Sequence, residues 1–298
     1  MFRFTSIITL VLCTLLGSGC ATGSRQTTPL AEAEKQIPAT QTVVFIHGMY
    51  MTPGVWSDWQ TWFSERGYIT YAPPWPLHEV SVEEQNNQHP SKQLGQLTLN
   101  DILENYRQFI ATLDEPPIVI GHSMGGLIAQ KLLEEGITAG AVAVNSAPPK
   151  GVLSFKFSFI RANLPHLNLF LSSDTPSQLS LSQFSYGFAN DMSADDQAFF
   201  YENYIVPESR KVGRAPLGSS GKINYTTARE PLLIIAGGND HIIPASLNRS
   251  NYKKYRKSPS ITDFVEFEDR NHLTVLQPGW QTVAEYIDGW ITQNRSNH

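Results

Sequence analysis

The sequence predicts an α/β fold, a mainly parallel sheet flanked by helices with an inserted cap. Three observations lead there. Short apolar runs alternate with stretches of helical periodicity. One Gly-x-Ser-x-Gly segment lies between such a run and such a helix. An aspartate and a histidine each follow a later apolar run.

Residues 42–47 (TVVFIH) are apolar and end at Gly48, which predicts a buried strand. Residues 56–66 predict a helix, with Trp56, Trp59, Trp62 and Phe63 at helical spacing. A second strand over 68–72 stops at Pro73 and Pro74. Residues 99–113 predict a helix carrying Ile102, Tyr106, Phe109, Ile110 and Leu113 on one stripe. A strand over 118–121, a helix over 124–135 and a strand over 140–145 follow. The alternation stops over 151–225. It resumes with a strand at 232–236, a helix near 245–255, a strand at 262–267 and a helix over 282–294. In such sheets the site lies beyond the carboxyl ends of the strands, so an insertion at that edge is expected to cover it. The expected organisation is a signal over 1–19, a tether over 20–40, a core from 41–150 and 226–298, and a cap over 151–225.

With 41% hydrophobic residues the chain is neither disordered nor fibrous. Its net charge of −5 comes without a basic cluster, which excludes a nucleic-acid partner. Both cysteines, Cys13 and Cys20, fall in the first 20 residues, so the remainder can hold no disulfide, thiolate zinc site or cysteine nucleophile. Arg3, an apolar run over 4–16 and the small residues Gly17, Ser18 and Gly19 have the layout of a secretory signal. The run is short for a membrane span, which needs about 20 apolar residues. Cys20 directly after it resembles a bacterial lipoprotein signal, although Gly17 stands where that family usually has Leu. The resemblance implies lipidation of Cys20, a membrane anchor and an extracytoplasmic protein, and Ala21 resembles lipoproteins sent to an outer membrane. The alternative is cleavage near Ala21, with Cys20 discarded and the protein secreted.

The chemistry centres on Gly121-His122-Ser123-Met124-Gly125. A strand running straight into this turn and a helix running straight out force a tight elbow from which the serine hydroxyl projects. Gly121 and Gly125 supply the room, and the helix N-terminus aims unpaired N–H groups at a developing anion. A serine needs a base, and the base an orienting acid. Asp240 ends the run LLIIAGGN, and His272 follows the last predicted strand. Glu266 and Asp269 compete with Asp240 as the acid, but Glu266 lies inside a strand and Asp269 is three residues from His272. Asn145, at the end of an earlier strand, carries an amide that cannot serve.

FIHG, GHSMGG, GGNDHIIP and RNH, in this order, resemble the α/β-hydrolase superfamily over about residues 41–294 apart from the insertion. The resemblance implies a Ser123–His272–Asp240 triad and an oxyanion hole formed by the backbone N–H groups of Met49 and Met124. It implies a serine hydrolase acting on an ester-type bond, with no metal or organic cofactor. The family often begins with two further strands; residues 21–40 are too polar to supply them, so the expected sheet has about six strands. The same triad serves thioester or amide hydrolysis, acyl transfer and cofactor-free peroxidation, and a non-catalytic envelope binding protein is the alternative outside enzymes. A dehalogenase would carry Asp at position 123.

His47 is expected to brace the oxyanion loop through backbone contacts, and His122 to pack against or cap the turn. His241 beside Asp240 has no third ligand placed by spacing, so no metal site is expected. The insertion holds eight of the fifteen phenylalanines. Most are expected to build the cap's own core and a few to line a pocket for an apolar acyl or aryl group. The alternation over 153–159 leaves strand or helix open. Glu208, Arg210, Lys211 and Arg214 read as a solvated face or as cap–core salt bridges.

Overall fold

The structure, a computed structural model, describes residues 36–167 and 170–295. The expected signal segment and Cys20 lie outside the described residues. Six strands, β1 (Thr42–Ile46), β2 (Ile69–Tyr71), β3 (Ile118–His122), β4 (Gly140–Val144), β5 (Leu232–Gly237) and β6 (Thr262–Phe267), form one parallel sheet in the order β2-β1-β3-β4-β5-β6. Strands β1, β3, β4 and β5 are buried at every residue, which accounts for their continuous apolar sequences. The edge strand β6 is half-buried throughout.

The helices of the core are α1 (Ser57–Ser64), α2 (Val82–Asn87), α3 (Leu99–Ile110), α4 (Met124–Glu134), α9 (Ala245–Lys254) and α10 (Gln281–Asn294). Between β4 and β5 the insertion forms α5 (Phe157–Leu167), α6 (Leu181–Gly187), α7 (Ala194–Tyr204) and α8 (Arg210–Arg214). Helix α4 packs on β3 and β4, and α9 on β5 and β6. A capping box starts α3, where Thr98 accepts from the Asp101 amide and the Asp101 carboxylate accepts from the Thr98 amide. From β1 the chain moves to β2 on one side and returns to β3 on the other. The junction of β1 and β3 is therefore the switch point where such sheets open a crevice.

Two expectations change and one open reading closes. The helix expected from 56 begins with a 3-10 turn, Pro53–Trp56, because Pro53 favours a first-turn position. The alternating segment 153–159 is loop and then α5. Alternation makes a strand only beside a neighbour, and Phe155 and Phe157 are 86% and 74% exposed. The tether expected over 20–40 gives way to folded chain by Ile37, which is buried, bridges to Arg295 and donates its amide to Asn294 O at 2.8 Å. Its single apolar side chain was masked by polar neighbours.

Candidate active site

Ser123 stands between β3 and α4 with φ 57° and ψ −118°, a left-handed conformation that costs about 1–3 kcal/mol in a non-glycine residue. The turn is over-determined. Ser123 N donates to Val144 O at 2.9 Å, and Ser123 O accepts from Gly126 N at 3.0 Å and Ala147 N at 2.8 Å. A Cβ on Gly121 would lie 2.0 Å from Gly125 O, and one on Gly125 2.2 Å from Ile46 O, so neither position admits a side chain. The loop after β1 crosses so close that a Cβ on Gly48 would sit 2.8 Å from Ser123 Cβ.

Ser123 Oγ lies 3.0 Å from His272 Nε2, and His272 Nδ1 lies 2.7 Å from Asp240 Oδ2. The other Asp240 oxygen accepts from Ile243 N at 2.7 Å, so the buried carboxylate is fixed on both sides. This order of contacts places Nδ1–H on the aspartate and leaves Nε2 facing the hydroxyl. The competing carboxylates are elsewhere: Glu266 pairs with Arg249, and the Asp269 side chain is 80% exposed beside Arg270. Met49 and Met124 line the same pocket as Ser123. Among the described residues neither of their backbone N–H groups has a backbone acceptor.

His47 accepts from Trp75 N at Nε2 (3.3 Å), donates from Nδ1 to Gly48 O (2.9 Å) and stacks on Trp75. Burial, and then the neighbouring His78, hold its pKa well below the usual histidine value, so it braces the loop as a neutral ring. His122 does more than pack. Its Nε2–H donates to His272 O at 2.7 Å, and burial and then His272 keep it neutral. Asn145, at φ 44°, accepts from Gly237 N (2.7 Å) and donates to Asn271 O (3.0 Å) and Thr274 Oγ1 (2.9 Å), joining the ends of β4 and β5 to the histidine loop. Neither role was visible in sequence, because the partners lie 90 or more residues away. His241 Nδ1 meets Tyr186 O at 3.0 Å, and among the described residues no three His, Cys, Asp or Glu side chains converge as metal ligands would.

Above Ser123 lies a pocket of about 630 Å³ including its mouth. The core lends it Met49, Tyr50, Met124, Ile242 and Ile243, and the insertion Phe159, Phe188 and Leu217. Among the described residues no charged side chain lines it. Phe188 also meets the His272 ring edge-on at 4.9 Å, whereas Phe184 is buried within the insertion. The eight phenylalanines thus divide among pocket, cap core and surface. Glu208 is fully buried and pairs with the equally buried His78 at 3.2 Å, a contact between insertion and core. Lys211 instead pairs with Asp174 near the surface.

No curated protein matches the chain. Solved structures share its fold. They include a monoacylglycerol lipase from Paleococcus ferrophilus (19% identity, TM-score 0.60, 85% of this chain and 94% of that one). An extracellular alpha/beta-hydrolase from a Paenibacillus species is alike (19%, 0.61, 83% and 98%), as is a pyrethroid hydrolase from Sphingobium faniae (17%, 0.59, 84% and 97%). Residues 43–284, which span all six strands and both ends of the Ser123–His272–Asp240 chain, match the Alpha/beta hydrolase family, and the protein belongs to that family.

Proposed function

We propose that the protein is a serine hydrolase of small carboxylic esters bearing an apolar acyl or aryl group. The observation that carries this reading is the unbroken Ser123–His272–Asp240 contact, 3.0 and 2.7 Å, opening into a pocket that no charged side chain lines among the described residues. His272 takes the Ser123 proton as the oxygen attacks the ester carbonyl. The Met49 and Met124 amides receive the oxyanion, and each such donor contributes about a hundredfold or more in rate. Gly121 and Gly125 keep the elbow tight enough to present the hydroxyl. His272 then passes the proton to the departing alcohol. It next draws one from water, which attacks the acyl-enzyme, and returns that proton to Ser123 Oγ as the acid departs. Asp240 fixes the tautomer and stabilises the imidazolium. Every proton has a place in this cycle, so no cofactor is required. The alcohol or acid portion seated in the pocket must be uncharged, because a buried charge there would find no partner.

The test is labelling by a fluorophosphonate, with Ser123→Ala as the control. Wild type labels and the variant does not; a labelled variant overturns the assignment. A series of p-nitrophenyl esters then reads the pocket, with rates rising from acetate to mid-length acyl chains. Equal rates along the series would count against an apolar site. The lipoprotein-like signal supports a lipid anchor on Cys20 and an extracytoplasmic location. Mass spectrometry of the mature N-terminus checks it: a lipidated Cys20 is expected, and an unmodified terminus beyond Cys20 refutes it.

A further inference from the structure

Beyond the sheet, the acid and base loops part company. The last paired residues of β5 and β6 are Gly237 and Phe267, and two further backbone bonds, Gly238 N to Phe267 O at 2.8 Å and Asn239 N to Arg270 O at 2.9 Å, join the chain beyond them before the loops diverge. Yet the distance between Asp240 and His272 must be held to a few tenths of an ångström for their hydrogen bond to form. A third segment spans the gap. Asp191, in the insertion between α6 and α7, accepts from Asn239 Nδ2 at 2.9 Å with one carboxylate oxygen and from Asn271 Nδ2 at 2.6 Å with the other. Asn239 immediately precedes Asp240, and Asn271 immediately precedes His272.

The two asparagines are themselves aligned. Asn271 is fully buried, and its carbonyl oxygen Oδ1 accepts from Leu273 N at 2.8 Å, so its amide can point only one way. Asn239 O accepts from Asn190 Nδ2 at 3.1 Å, and Leu273 N also donates to Phe188 O at 3.2 Å. A carboxylate suits the junction because two amide N–H donors converge on it, and an amide side chain at 191 would offer only one accepting oxygen. We infer that Asp191 is a positioning residue: the cap's carboxylate clamps the acid loop to the base loop and sets the Asp240–His272 geometry. This corner of the cap is therefore a fixed part of the catalytic frame; Phe188 there also lines the pocket, whereas Asp191 does not. The inference rests on the triad reading above.

Asp191 is exposed at the surface and lines no part of the pocket, so its loss should spare both folding and ester binding. In Asp191→Ala, kcat for a p-nitrophenyl ester is expected to fall about tenfold with KM within about twofold, since small misplacements of reacting groups lower rate rather than binding. The acid limb of kcat/KM should also move down by about half a pH unit, because a looser Asp240 contact stabilises the imidazolium less. Asp191→Asn, which keeps the volume and one acceptor, should fall between wild type and Ala on both measures, and it carries the test if the alanine variant unfolds. A wild-type kcat and an unmoved limb in these variants, whether or not the melting temperature drops, overturns the clamp. So does a loss confined to KM. Ser123→Ala run alongside separates the levels: if it stays active, the triad reading itself has failed.

Discussion

Ser123 is held in a conformation that serine does not favour, and its strain has a measurable consequence. Ser123→Ala and Ser123→Gly both remove the hydroxyl, but only glycine relieves φ 57°. The strain of about 1–3 kcal/mol opposes glycine's unfolded-state entropy penalty of about 0.5–1 kcal/mol, so the net sign favours glycine. Ser123→Gly is expected to be more stable than Ser123→Ala by about 1 kcal/mol in denaturant unfolding, with neither variant labelled by fluorophosphonate. An alanine variant as stable as the glycine one would show that the elbow stores no strain. At the same scale, Gly121→Ala should lose about 3 kcal/mol or fail to fold, since its Cβ would lie 2.0 Å from a backbone oxygen fixed in the elbow. These residues were legible in sequence because an elbow needs its glycines and serine within five positions. His122 and Asn145 were not, because what they do is decided by a loop more than a hundred residues further on.

Among elements, the junction of cap and core carries the clearest pH signature. His78 follows β2, and Glu208 follows α7. His78 Nδ1 faces Pro76 O at 3.1 Å while Nε2 faces the Glu208 carboxylate at 3.2 Å, so both ring nitrogens look at acceptors. Burial opposes a charge on His78, but the attraction of Glu208, the hydrogen bonds and the more distant Glu79 outweigh it and raise the pKa above 6.5. The adjacent His47, its ring 5.5 Å away, stays neutral. A histidine whose pKa is raised by folding contributes stability in full below its unfolded value of about 6.5, and that contribution is lost as pH rises through the folded value. Wild type should therefore lose melting temperature as pH climbs from about 6.5 through that range. Glu208→Gln should lose that slope and, by removing one partner of a buried pair, cost about 3 kcal/mol at pH 6. Equal pH profiles for the two proteins would refute a charged His78. The charged stretch after α7 suggested cap–core salt bridges, but its partner could not be read, since His78 lies in a proline-flanked loop with no periodic pattern. The insertion's helices were similarly hidden: they are short, and several expose apolar residues that blur the helical period.

Across the whole molecule, the parallel strands place the candidate site and the ends of the described chain at opposite ends of one sheet. Ser123, Asp240 and His272 lie beyond the carboxyl ends of β3, β5 and β6, whereas Ile37 packs at the amino ends. There a Cβ on Gly140 would touch its side chain at 3.3 Å, with Pro231 O beside it. The two ends of the described chain are clasped: Ile37 N donates to Asn294 O, and Arg295 reaches back to Thr40 O at 3.0 Å. With no cysteine after Cys20, packing and such contacts alone hold this end. Alternation and burial made the parallel sheet legible, but a lone isoleucine in a polar stretch gave no periodic signal of its place in the core. Its contribution can be isolated by comparing chains that begin at residue 36 and at residue 41. Burying an isoleucine is worth about 2–3 kcal/mol, and the longer chain also keeps the clasp. The chain beginning at 41 should therefore unfold at least about 3 kcal/mol more easily. The ester-hydrolysis rate of the two should agree where both are folded, because the clasp lies at the far end of the sheet from Ser123. Equal stabilities would return residues 36–40 to the tether.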